Sequence, residues 1–287
     1  MNSDEFNGSA TASPETDTPR SVSGGFGLIG VEAKISAALR AEEEARGIRI
    51  LYAAESGSRA WGFASPDSDW DVRAIYVYPR DWYLSIAEKQ ADTFAAIGPD
   101  DIDLSAWELR KSLRLFAKSN IPLLEWLGSP LVYLDRDGFG DRLRALIPDF
   151  FDPRGAAWHH LSMQRSALED LAPDNTIRIK KLCYALRSAL SVHWIAARAT
   201  MPPVPFPELF AASDLDAATR EAIDGILAAK RDASECDRIA LPPVLAELFK
   251  KNEDLVLAAV FSARDQADVN KLDGFFRNTL HNTNWNG

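Results

Sequence analysis

The chain has 287 residues, 46% apolar and 26% charged, with a formal net charge of −10. This is the composition of an ordinary globular protein of one large or two modest domains, and its acidic balance argues against a broad surface for long DNA, which needs clustered Lys and Arg. No apolar run reaches the ~18 residues of a membrane-spanning helix, and two cysteines, Cys183 and Cys236, imply no disulfide framework, so cytoplasmic residence is the simplest expectation.

Residues 1–27 are rich in Ser, Thr, Pro, Gly and acids and lack the basic and apolar regions of a secretory signal, which predicts a disordered tail. Apolar positions at helical spacing over residues 31–46 end at Gly47. Ile48 to Ala54 reads as a buried strand and Asp71 to Tyr78 as a second, ended by Pro79. Asp92 to Ile97 and Ile102 to Trp107 flank Gly98-Pro99-Asp100 as a hairpin. Glu108 to Leu127 is helical, with a break or new start at Pro122. After about residue 150 the pattern is helical over Trp158 to Leu171, Ile177 to Arg198, 213–230 and 242–264, with a Pro-rich connection, MPPVPFPEL, at 201–209 and few strand signals. The expected fold is α+β: a domain at 28–150 with a small mixed sheet, then a mainly helical domain at 151–287.

The run GSRAWGFASPDSDWDVR, residues 57–73, carries the chemistry. Gly57 lets the backbone approach a phosphate closely, and backbone N–H groups at a following helix start, with the Ser58 hydroxyl, can hold the anion. Arg59 reaches either phosphate or a local acid. Residues two apart on a strand share a face, so Asp69 and Asp71, roughly 7 Å apart along the chain, can converge on one metal cluster while Trp70 points away. Asp103, between Ile102 and Leu104, supplies a third carboxylate if its strand lies beside that of Asp71. Oxygen ligands of this kind suit Mg²⁺ or Mn²⁺, and two such ions serve in-line displacement at phosphorus. Of the three acids, Asp103 is best placed to serve only the ion that activates the attacking hydroxyl. The pattern points to nucleotidyl transfer.

Other residues have competing readings. Lys180, Tyr184 and Arg187 follow i, i+4, i+7 spacing and share a helix face, either solvated or facing phosphate. Arg187 and His193 match the loose Arg-x₅-His spacing of HEPN-type RNA nucleases, but a single spacing match is weak and a packed or partly exposed histidine is the better reading of His193. His159 and His160 read as helix-surface residues, because no third nitrogen or sulfur ligand lies near. Trp61 and Phe63 either stack on a base or pack in the core. Glu125, among apolar neighbours, reads as a buried acid paired with a basic residue, or as a support of the site.

The spacing of Gly57, Ser58, Asp69, Asp71 and Asp103 resembles the DNA polymerase-β nucleotidyltransferase superfamily. The fuller run at 57–73, SNIPLLEWLGSP at 119–130, and KKLCYALRSALSVHWI at 180–195 followed by Pro202-Pro203 resemble more narrowly its RNA-repair-pathway branch, the RlaP-type nucleotidyltransferases. The resemblance covers about residues 45–285. Ser119 departs from it, where glycine is expected. The resemblance implies a polymerase-β-like catalytic domain that moves a nucleoside monophosphate from an NTP to a hydroxyl, with two Mg²⁺ (or Mn²⁺) ions and an RNA end as candidate acceptor. It also favours phosphate binding by Lys180 and Arg187. The alternatives are a small-molecule or protein nucleotidyltransferase, or a non-catalytic antitoxin-like module of the same fold.

Overall fold

The two β-type runs flanking residues 57–69 become the centre of one sheet. The computed structural model describes residues 28–65, 68–86, 91–98, 102–232, 234, 236–261 and 268–285. The expected tail at 1–27 and the Pro99-Asp100 turn lie outside these. Helix α1 (Leu28–Arg46) ends at Gly47, whose φ of +62° turns the chain into strand β1 (Arg49–Glu55). A short helix, α2 (Gly57–Trp61), leads back to β2 (Trp70–Val77), and α3 (Arg80–Tyr83) follows Pro79. Strands β3 (Thr93–Ile97) and β4 (Ile102–Glu108) pair antiparallel as the expected hairpin, from Thr93 opposite Trp107 to Ile97 opposite Asp103.

Glu108 to Leu127 divides into α4 (Leu109–Ala117) and α5 (Ile121–Leu127). Glu108 caps the first helix by accepting the Arg110 and Lys111 amides, and Asn120 caps the second by accepting that of Leu123. Ser119 between them has φ +54°, the left-handed region that favours glycine, which explains the expectation of glycine there. Its hydroxyl accepts the Asp152 amide at 2.9 Å. Strand β5 (Val132–Asp135) then pairs with β1 and is not apparent in the sequence, being four residues long and half-buried. The sheet order is β3-β4-β2-β1-β5, mixed because β2 and β4 run parallel while the other pairs are antiparallel.

The remaining chain is mainly helical: α6 (Phe139–Arg144), α7 (Ile147–Phe150), α8 (Pro153–Leu168), α9 (Ile179–Arg198), α10 (Phe206–Ala211), α11 (Ala217–Asp232), α12 (Pro243–Ala258) and α13 (Val269–Asn282). Helix α9 is its axis, nearly enclosed by α8, α10, α11 and α12. Two three-residue strands, β6 (Thr176–Arg178) and β7 (Arg238–Ala240), form a small ribbon in this half, too short to show a period in sequence. One apolar cluster joins the halves, with Tyr52, Ile75 and Phe116 packed together with Leu161, Val192 and Leu272. Each large apolar side chain so buried contributes roughly 1.5–3 kcal/mol.

Candidate active site

The parallel pairing of β2 with β4 sets Asp71 directly opposite Asp103. Both strands have apolar residues on the face turned to the core, Val72, Ala74, Leu104 and Ala106, so register also fixes which side chains face outward. Arg73, two residues past Asp71 and therefore on the same face, lies between the acids. Its Nη2 donates at 2.8 Å to Asp71 Oδ1 and at 2.8 Å to Asp103 Oδ2, while Nη1 donates to the backbone carbonyls of Asp103 and Val72. Asp69 stands just ahead of the strand, exposed. Burial raises the Asp71 pKa; Arg73 and Lys180 oppose that shift, and Asp103 and Asp69 add to it. These causes place all four charged groups within the electrostatic field of one carboxylate.

The turn between β1 and α2 leans on that carboxylate. Gly57 has φ +63°, and a Cβ there would stand 2.5 Å from Asp71 Oδ2, so any other residue would be strained and would push the carboxylate aside. The Ser56 amide donates to the Asp71 carbonyl at 2.8 Å, and the Asp71 amide donates to Glu55 Oε1 at 2.9 Å. Glu55, the last residue of β1, is fully buried and accepts a second hydrogen bond from the Tyr133 hydroxyl. Burial pushes its pKa up to about 7. Ser58 sits half-buried in α2, at the edge of a tight crevice also lined by Ser68, Lys180, Tyr184 and Lys230.

Several sequence expectations meet a different placement. Among the described residues Arg59 pairs with no acid: Nε donates to the Asp69 carbonyl at 3.0 Å, Nη2 donates to the Ser68 carbonyl, and the guanidinium lies 3.8 Å over the Trp70 ring. It braces the loop that presents Asp69. Arg187 is 4% exposed; Nη1 donates to Glu125 Oε1 at 2.8 Å, Nε donates to the Val204 carbonyl, and the group lies 4.5 Å over Trp61. Lys180 of the same helix face acts electrostatically on Asp71, whereas Arg187 is held in a buried ion pair. His160 is not a surface residue but fully buried, and His159 is half-buried. Arg187 and His193 do not form a nuclease-like pair, because His193 hydrogen-bonds Asn252 Oδ1 at 2.8 Å. Phe63 packs on Phe206 in the core, and Trp61 meets Tyr184 edge-on at 5.0 Å.

Arg73, Glu55, Tyr133 and Lys230 complete the surroundings and are absent from the sequence expectations. A signal for two of them exists: the period of two places Arg73, and an acid closing an apolar strand marks Glu55. Nothing local marks Tyr133 or Lys230, which arrive from distant elements. Among the described residues, no three His, Cys, Asp or Glu side chains close into a metal cage. The acid face is an open cluster with a guanidinium threaded through it.

The model of the family described as RlaP, the RNA repair pathway DNA polymerase beta family, matches residues 31–278. A protein of Bacillus subtilis (strain 168) called the uncharacterized protein YcgL is 37% identical over 244 residues, covering 84% of this chain and 94% of its own. A solved nucleotidyltransferase-like protein from Exiguobacterium sibiricum 255-15 aligns over 87% of this chain and 76% of its own, at 11% identity and a TM-score of 0.28, too low to bear on the site. Among the described residues, no helix is long and apolar enough to cross a membrane.

Proposed function

Because the chain belongs to the RNA repair pathway DNA polymerase beta family, which makes it nucleotidyltransferase-like, we propose that it moves a nucleoside monophosphate from an NTP to an acceptor hydroxyl. The observation that carries this reading is the direct register of Asp71 with Asp103 on parallel strands, beside a glycine turn packed against the Asp71 carboxylate.

The donor set suits a hard divalent cation. Mg²⁺ is ordinarily held by one or two carboxylates together with substrate phosphates and water, not by a closed protein cage. Asp69 and Asp71 would hold Mg²⁺ or Mn²⁺, with Asp103 as a further ligand; two ions are the expected complement. When bound, the metal neutralises phosphate charge and eases deprotonation of the attacking hydroxyl. The remaining work falls to the protein. Asp103 orients the acceptor hydroxyl. Gly57 and Ser58 offer backbone N–H groups and a hydroxyl to the leaving phosphates, with Lys180 as a point charge. Glu55 holds the Asp71 backbone, and Arg59 holds the Asp69 loop. The family's RNA-repair association makes an RNA end the first acceptor to try, ahead of a small molecule or a protein.

Incubation with each α-labelled NTP, Mg²⁺ or Mn²⁺, and a panel of RNA ends and small hydroxyl acceptors tests the proposal. Label is expected on one acceptor class, and Asp69→Ala or Asp71→Ala should abolish transfer in a folded protein. Full activity in the double variant would overturn it. Arg73 favours a second reading, a non-catalytic module of the same fold, because it already occupies the space between Asp71 and Asp103 as an ion-pair partner of both. Calorimetry separates the two: the second reading gains if Mg²⁺ does not promote NTP binding.

A further inference from the structure

Beside the phosphate turn lies a cavity of about 180 Å³ that the proposed transfer reaction does not use. Its walls come from Ser56 ahead of the turn, Trp61 of α2, Glu125 of α5, His160 of α8, and Tyr184 and Arg187 of α9. Helices of both halves and the glycine turn therefore meet around one space. Two of its lining residues carry polar atoms with no hydrogen-bond partner among the described residues: His160 Nε2, on a side chain 1% exposed, and Arg187 Nη2, on one 4% exposed. A buried polar atom left unpaired is costly, so two in one cavity mark a space made for a ligand or for ordered water.

The charge of the cavity narrows the ligand. Arg187 is matched by Glu125 at 2.8 Å. Burial lowers the pKa of His159, and that of His160 much further, so both are neutral at physiological pH. No net positive charge is left for a phosphate. The cationic side of α2 is the other one, where Lys180 and Lys230 flank Ser58, and Tyr184 is the wall the two spaces share. A ligand with a charged end and a neutral end is matched in two parts. The neutral part meets aromatic rings at Trp61 and Tyr184, donors at Arg187 and a histidine, and an acceptor at Glu125. Aromatic and apolar walls with a few placed polar groups suit a flat nitrogen heterocycle, whose faces stack and whose edge carries donors and acceptors.

We propose that this cavity binds a nucleobase, either that of the NTP or the terminal base of a nucleic-acid acceptor. The proposal rests on the nucleotidyltransferase reading for its ligand class, but it can be tested separately. His159→Trp fills the cavity from its half-buried rim; Met163→Trp fills it from a residue 41% exposed on α8, and serves if the first variant does not fold. Saturation-transfer NMR with the four free nucleosides probes the cavity alone. Titrations of the full chain with the four NTPs, inorganic tripolyphosphate and a short oligoribonucleotide follow.

Wild-type protein is expected to give nucleoside signals that the filled variants lose. Loss of about tenfold in NTP affinity, with tripolyphosphate affinity unchanged, assigns the base to the NTP. Unchanged NTP affinity with weakened oligoribonucleotide binding assigns it to the acceptor. If wild type gives no nucleoside signal and filling alters neither affinity, the cavity holds water only and the proposal is overturned. Absence of tripolyphosphate and NTP binding in wild type would instead sink the transferase reading, while the nucleoside result still decides the cavity.

Discussion

The acid face of β2 and β4 and the inward face of α9 both carry charge beside the same short helix, and they hold it in opposite ways. On the strands, Asp71 and Asp103 share Arg73 in a half-open setting, with the Asp103 side chain 47% exposed. In α9, Arg187 is closed away from solvent against Glu125. A cluster open to water can exchange its partners for a substrate at little cost, because exposed ion pairs are worth only about 0–1 kcal/mol. A buried pair cannot, because separating it strands a charge in a poor solvent. The difference teaches that basic residues on one helix face need not do the same work. Lys180 acts on the Asp71 carboxylate, whereas Arg187 is locked against Glu125 in the interior.

Substitutions on the two faces sharpen that contrast. Asp103→Asn is expected to reduce transfer on the order of 10³-fold, the scale of a lost metal contact, while denaturant unfolding moves by less than about 1 kcal/mol. Glu125→Ala should do the reverse, costing about 3–5 kcal/mol of stability in the same unfolding measurement, and Glu125→Leu with Arg187→Met should recover most of it. A Glu125→Ala protein as stable as wild type would break the comparison.

Smaller effects lie between the two faces. Gly57→Ala puts a methyl group against Asp71 Oδ2 in a left-handed conformation. Its strain of roughly 1–2 kcal/mol should lower the melting temperature modestly, and transfer should fall further than that loss of stability explains. Glu55→Gln bears on pH. The folded pKa of Glu55 lies above its ordinary 4.5, at about 7, so the folded state holds the proton more tightly than the unfolded state. Its contribution to stability is complete below pH 4.5 and lost as pH rises to about 7. Melting curves between pH 4.5 and 7 should therefore show wild type losing stability with rising pH relative to Glu55→Gln. Parallel profiles would mean that Glu55 titrates normally.

Legibility in the sequence follows distance along the chain. Asp71 opening one apolar strand and Asp103 interrupting another can be read locally, whereas their register depends on β2 and β4 lying side by side, which the sequence leaves conditional. A helix break is expected at Pro122 and falls a few residues earlier, between Ala117 and Ile121, where the positive φ of Ser119 gives a physical reason for the glycine expected there. Strand β5 and the ribbon of β6 and β7 escape notice because runs of three or four residues carry no period. Helix α13 lies beyond the expected helix at 242–264 and is not anticipated. Arg187 reads as a phosphate ligand because its partner, Glu125, lies 62 positions away and no local pattern links them. His160 reads as a surface residue because its burial depends on α9 and α12, which pack over α8.

The placement of α13 carries a consequence for how the molecule is made. This helix packs against α4, bringing Leu272 into the cluster that backs the sheet, and Phe276 meets Tyr83 edge-on at 5.2 Å. A growing chain that has emerged only as far as the acids and the basic helix still lacks the piece that closes this cluster. Apolar surface behind the acid-bearing strands stays open until α13 is synthesised, and exposed surface of that kind invites aggregation and chaperone capture. Synthesis of α13 thus sets the moment at which this cluster is covered.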